Sequence, residues 1–161
     1  MSIAIRAAAP ADLPLIAALI RELAEYEKLA HDVRFDEAVL GAKLFGPRPY
    51  AEVLIGEADG AALGFALFFH SFSTFEGRPG IYLEDLFVRP EARGKGLGKA
   101  LLAELARLAV ERDCARLEWS VLDWNEPSIG FYKSLGAAAM DQWIGMRVDG
   151  DALTALAGAT G

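Results

Sequence analysis

Two groups of residues with chemistry stand close together in the middle of this chain. Glu84 and Asp85 are adjacent carboxylates inside an otherwise apolar stretch, YLEDLFV, from Tyr82 to Val88. Just beyond it come Arg93, Gly94, Lys95, Gly96, Leu97, Gly98 and Lys99, three alternate glycines among cations. A charge in an apolar strand is costly when unpaired, so each carboxylate needs a partner, and a cationic amine would serve. Glycine lets a backbone approach a phosphate closely. A helix start offers amides with no internal partner and a partial positive charge. A strand, a glycine turn and a helix start in that order outline an anion site.

Three phosphate motifs compete for the turn. The P-loop needs glycine, four residues, then Gly-Lys-Ser/Thr. Here Arg93 stands at the first glycine and Ala100 at the Ser/Thr. The dinucleotide fingerprint needs a third glycine after two spacers, and Lys99 occupies that place. The third pattern, Arg/Gln-x-x-Gly-x-Gly/Ala, fits Arg93 to Gly98 without exception.

The elements that must position these residues follow from spacing. Ile3 to Arg6 reads as a strand. A helix starts at Pro10 and Asp12, spaces Leu13, Ile16, Ala17, Ile20 and Leu23 or Ala24 along one face, and ends at about Glu27. Asp36 opens a second helix to about Phe45, stopped by GPRP. Strands Ala51 to Ala58 and Ala61 to Phe72 join at Asp59-Gly60, a tight-hairpin signal. Ile81 to Val88 follows, ended by Pro90. Alternation puts Tyr82, Glu84, Leu86 and Val88 on one face and Leu83, Asp85 and Phe87 on the other. Leu97, Leu101, Leu105 and Leu108 stripe the next helix, and Arg116 to Leu122 is a strand. A short helix begins at Asn125 and stops at Gly136. Gln142 to Val148 reads as a last strand and Asp151 to Leu156 as a last helical turn.

YLEDLFV, the glycine turn and WNEPSIGFYKSLGA, from Trp124 to Ala137, together resemble the GNAT acetyltransferases, within them the diamine (spermidine/spermine) and thialysine branch. IRELAEYEKL is similar to that branch's first helix. After Gly136 the branch usually carries an acidic loop, where this chain has AAAMDQW with Asp141 its one charge. The resemblance implies one α/β domain over residues 1–161. Its sheet would be mixed, mostly antiparallel, of six to seven strands, splayed at the acetyl-CoA site and flanked by helices. It implies transfer of acetyl from acetyl-CoA, a co-substrate, to a primary amine of a small cationic acceptor in a ternary complex. Diamines, polyamines and thialysine-like amino acids are the class.

Roles follow from the same resemblance. Backbone groups of Leu86, Phe87 and Val88 would bond the pantetheine arm as an added strand, with a bulge near Phe87. An amide of Phe87 or Val88 would polarise the acetyl carbonyl. Amides from Arg93 through Gly94, Lys95, Gly96, Leu97 and Gly98 to Lys99 would hold the pyrophosphate. Asn125, Ser128 and Lys133 complete the cofactor set, although Asn125 is equally a sound N-cap. Tyr132 is the general acid, since a phenol stays protonated at neutral pH. Glu84 is the base, acting directly or through water, and Tyr26, Glu27 and Asp85 join it in holding the acceptor.

Composition limits the alternatives. The net charge is -7, which disfavours nucleic acid and suits a cationic substrate. The basic island from Arg89 to Lys99 is the exception. The longest uncharged run, Ala61 to Phe75, is too short to span a membrane. One cysteine, Cys114, and two histidines make a zinc site improbable, so no metal is expected. With no secretory pattern in MSIAIRAAAP, a cytoplasmic setting is expected, and the branch suggests a homodimer. Two other functions are compatible with the residues: a CoA-binding sensor without catalysis, and an acetyltransferase acting on a protein lysine or N-terminus.

Overall fold

The structure, a computed structural model, describes residues 2–159. The chain divides into two compact units, one ending at Leu122 and the other starting at Asp123.

The first unit is a sheet with helices on both faces. β1 (Ile3–Ala7), β2 (Glu52–Ala58), β3 (Ala61–Ser73) and β4 (Arg78–Val88) form an antiparallel meander, and β5 (Leu117–Trp119) lies parallel to β4. Among the described residues the sheet therefore has five strands, in the order of the chain, instead of the six to seven expected. The β2–β3 turn is as read: Asp59 and Gly60 both take positive φ, 51° and 82°, matching the twist of the strands it joins. β3 and β4 run further than expected. The loop between them shrinks to a turn in which Gly77 N–H donates to the Ser73 carbonyl and Glu76 N–H to Ser73 Oγ.

α1 (Leu13–Tyr26) and α2 (Glu37–Phe45) cover one face. Ile16, Leu19 and Leu23 pack there with Leu44, Val53, Ile55, Phe65, Leu67 and Phe87. Asp36 caps α2, accepting from Val39 N–H at 3.0 Å. Pro10–Asp12 is a single 3-10 turn before α1. Arg6 binds Asp12 through two nitrogens, at 2.8 and 2.9 Å, and holds that carboxyl down at about 2. The other face belongs to α3 (Leu97–Glu111), whose Leu97, Leu101 and Leu105 are fully buried. α3 also makes the crossover that a parallel β4–β5 pair requires.

In the second unit, Asn125 caps α4 (Glu126–Ser134), its Oδ1 accepting from Ser128 N–H at 3.4 Å. Gly136, at φ 97°, ends the following turn, and α5 spans Gly150–Ala157. The strand expected over Gln142–Val148 does not form. The alternation there marks an apolar side but supplies no ladder, and among the described residues no strand pairs with it. Trp143, Ile144 and Met146 are exposed.

Candidate active site

The centre of the site is an irregularity in β4. The β3–β4 ladder pairs Leu67 with Asp85 and Phe68 with Leu83, and Glu84 has no partner. This is a β-bulge, three residues earlier than the one expected near Phe87. An inserted residue reverses the alternation beyond it. Leu83 shares a face with Phe68, while Asp85 and Phe87 turn to the α1 face with Leu67 and Phe65. The expected grouping of Leu83 with Asp85 and Phe87 does not hold, because it assumed an uninterrupted strand.

The same insertion sets the direction of the backbone groups. Ile81 N–H donates sideways to Arg116 of the β5 segment, and the β4–β5 ladder ends at Leu83 opposite Trp119. Past the bulge, Arg89 N–H donates to the Leu63 carbonyl. Val88 and Leu86 therefore sit at wide pairs, with their N–H and C=O directed away from β3. Phe87 exchanges its own with Phe65. From Glu84 to Val88 the outer edge has no strand beside it among the described residues. An extended ligand finds Leu86 and the Val88 amide presented there, and the Phe87 amide already bonded.

The glycine turn continues from this edge. After a 3-10 turn at Pro90–Ala92, Arg93 N–H donates to the Pro90 carbonyl at 3.2 Å. The amides from Gly94 to Lys99 meet no backbone acceptor among the described residues, and Ala100 N–H makes the first helical bond, to Gly96. Gly94 and Gly96 need to be glycine, at φ 76° and 89°. Gly98 does not take positive φ, and a Cβ on it would meet only Val88 Cγ2, at 3.7 Å. Its bareness matters to whatever approaches from outside. Of the four cations, Arg89 is paired with Glu22 at 3.0 and 2.9 Å, and Arg93 turns its side chain onto Tyr26. Lys95 and Lys99 remain exposed beside the amides.

Acidic residues gather on the α1 side. Glu27 caps the C-terminal end of α1, and burial raises its carboxyl. Asp85 is half-buried and pushed up to about 7, first by desolvation and then by the charges of Glu84 and Glu27. Glu84 itself is exposed at the bulge. The three carboxylates thus share one field with no cation bonded to any of them among the described residues. Such a cluster attracts a cation and holds one carboxyl near neutrality, where it can accept or release a proton.

In the second unit, Tyr132 lies on α4 with its ring 5.7 Å from that of Phe131. Lys133 is exposed and Ser128 half-buried. Asn125 acts as the N-cap, one of its two expected uses. Sequence reasoning missed the side-chain role of Arg93 and the basicity of Asp85. The adjacent carboxylates were the only signal for the second. A separate cavity of about 400 Å³ opens by Ala51, Phe68 and Leu108. Its arginines are paired, Arg6 with Asp12, Arg107 with Glu104 and Arg112 with Glu52, and no expected site residue lines it.

Residues 16–137 match the Acetyltransferase (GNAT) family. The chain is 41% identical to a thialysine N-epsilon-acetyltransferase of Bos taurus, over 96% of each chain. It is 32% identical to L-ornithine N5-acetyltransferase NATA1 of Arabidopsis thaliana, over 94% of this chain and 86% of that one. Among solved structures, an integron cassette protein from the mobile metagenome of V. cholerae superposes with a TM-score of 0.81. It is 30% identical and covers 99% of both chains.

Proposed function

Since this chain belongs to the GNAT acetyltransferase family, we propose that it moves acetyl from acetyl-CoA to a primary amine of a small cationic acceptor, within a ternary complex. Thialysine, ornithine and related diamines or polyamines are the class. The acidic group of Glu27, Glu84 and Asp85 supports a cationic acceptor, as do the substrates named for the relatives.

The observation that carries the reading is the run of amides from Gly94 to Lys99, without a backbone acceptor among the described residues. It is reached from a strand edge that is open from Glu84 to Val88. The amides and the α3 dipole receive the pyrophosphate, with Lys95 and Lys99 adding charge. Leu86 and the Val88 amide bond the pantetheine arm. The Val88 amide stands nearest the role of polarising the acetyl carbonyl, because Phe87 N–H belongs to β3. Asn125, Ser128 and Lys133 contribute from α4.

The amine nitrogen attacks the acetyl carbon, the C–S bond breaks, and the amine proton leaves. Glu84 takes it, directly or through water, with Asp85 and Glu27 holding the acceptor and Tyr26 beside them. Asp85, raised to about 7, is itself matched to proton transfer near neutral pH. The departing thiolate takes its proton from Tyr132. Residues 1–161 act as one catalytic domain, in a cytoplasmic homodimer.

The test is release of CoA thiol from acetyl-CoA against putrescine, spermidine, spermine, thialysine, ornithine and lysine side by side. Saturable release with one of them is expected. Binding of acetyl-CoA without release for any amine would leave a CoA sensor, and release with peptide substrates alone would make it a protein acetyltransferase. Comparing the pH profiles of E84Q and D85N assigns the base. Loss of the acid limb of kcat/KM in E84Q supports Glu84, and its loss only in D85N moves the role to Asp85. Light scattering of the purified chain checks the dimer.

A further inference from the structure

Arg93 stands at the start of the glycine turn, yet its amide and its Nε are both bonded within the chain. The amide donates to Pro90. The guanidinium carbon lies 4.8 Å from the centre of the Tyr26 ring and 5.4 Å from that of Phe87. Its Nε donates to the Val88 carbonyl at 2.9 Å. Among the described residues, Arg93 has no ion pair. A guanidinium can stack on rings and donate from its edge at the same time, which an ammonium cannot do in one geometry.

The three contacts join two parts of the chain. Tyr26 is the last residue of α1 and is followed by Glu27. Phe87 and Val88 end β4, two and three residues after Asp85. We propose that Arg93 is a positioning residue that fixes the acceptor side of the site from the donor side, by holding the end of α1 against the end of β4. This rests on the acetyltransferase reading above. The spacing of Glu27 from Asp85, and so the fit of a cationic acceptor, depends on a side chain that touches neither carboxylate. The bond from Nε also takes up the Val88 carbonyl, leaving that residue's amide as its outward group for the donor.

Steady-state kinetics of the full chain with thialysine and acetyl-CoA test the proposal. In R93A the KM for thialysine is expected to rise roughly tenfold, within the range of a lost cation–π contact and hydrogen bond. The KM for acetyl-CoA should change less than about threefold, since the amides of Gly94 to Lys99 remain. R93K keeps the charge and should recover less than half of the loss. Y26A should raise the thialysine KM similarly, and R93A/Y26A no further than the worse single change. Y26F keeps the ring and should recover most of what Y26A loses.

An R93A chain whose acetyl-CoA KM rises and whose thialysine KM does not would overturn the proposal and leave the acetyltransferase reading standing. Additive effects in the double variant would also overturn it. So would a Y26F as poor as Y26A, which would make the hydroxyl the acting group. A wild-type chain that releases CoA thiol with none of putrescine, spermidine, spermine, thialysine, ornithine and lysine would remove the functional reading, and the acceptor role of Arg93 with it.

Discussion

Replacing Asp85 with asparagine tests the acidic group without assuming any substrate. Burial and the charges of Glu84 and Glu27 move the Asp85 carboxyl from its ordinary 3.8 to about 7. The folded chain therefore binds that proton about a thousandfold more tightly than the unfolded chain, a difference of about 4 kcal/mol. Below pH 3.8 both states are protonated, and Asp85 places no burden on the fold. Between 3.8 and 7 the unfolded chain gives up its proton first, and stability declines as pH rises. Above about 7 the full penalty of a desolvated, like-charged carboxylate is present. An asparagine side chain never ionises and keeps the shape, so D85N should escape the decline. Urea unfolding followed by circular dichroism, at half-unit steps from pH 4 to 8, gives the comparison. The two proteins should differ little at pH 4, and D85N should be the more stable by about 4 kcal/mol at pH 8. Adding a diamine at pH 8 should recover part of the wild-type loss and stabilise D85N, which keeps Glu27 and Glu84, by less. An advantage for D85N that is the same at pH 5 and pH 8 would show that Asp85 titrates normally, and the argument for a shared field would fail.

Three further outcomes follow from the geometry. G98A should fold with a Tm close to wild type, since its Cβ would make only an ordinary contact at 3.7 Å. Its acetyl-CoA affinity, read by calorimetry, should fall at least tenfold if a ligand packs on that glycine. Y132F should bind acetyl-CoA normally and lose roughly 100-fold in kcat, as removal of a general acid does; turnover equal to wild type would take Tyr132 out of the mechanism. Arg89 and Glu22 tie the end of β4 to α1, so a double-mutant cycle on R89A and E22A should give a coupling of about 1 kcal/mol in urea.

Much of this was legible in the residues. Asp59-Gly60 has one backbone solution as a hairpin turn, and Asp36 and Asn125 cap the helices they precede. The leucine stripe of α3 admits one buried face. What depends on a neighbour was not legible. Gln142–Val148 alternates well enough for a strand, but alternation does not provide the strand it would pair with. Glu84 bulges because of how Leu67 and Phe68 meet Asp85 and Leu83, and nothing in LED differs between a regular and a bulged strand. Arg93 reads as one more cation beside glycines, and only the arrival of Tyr26 from a helix far away in sequence gives its side chain a use.

The bulge at Glu84 acts as a phase shift in a repeating structure. On one side of it, β4 turns its outward backbone groups to β5 and behaves as an interior strand. On the other, the groups of Leu86 and Val88 face outward with no strand to meet them among the described residues. Deleting Glu84 would restore the phase along the whole strand. Leu83 would stay opposite Phe68 and Asp85 opposite Leu67, so Asp85, Leu86 and Val88 would keep the directions they have now. The deletion would thus leave the donor edge in place and take from the acceptor field only the exposed carboxylate of Glu84. The extra residue carries a carboxylate at the point where β4 parts from β5, without altering what the strand offers to β3 on either side.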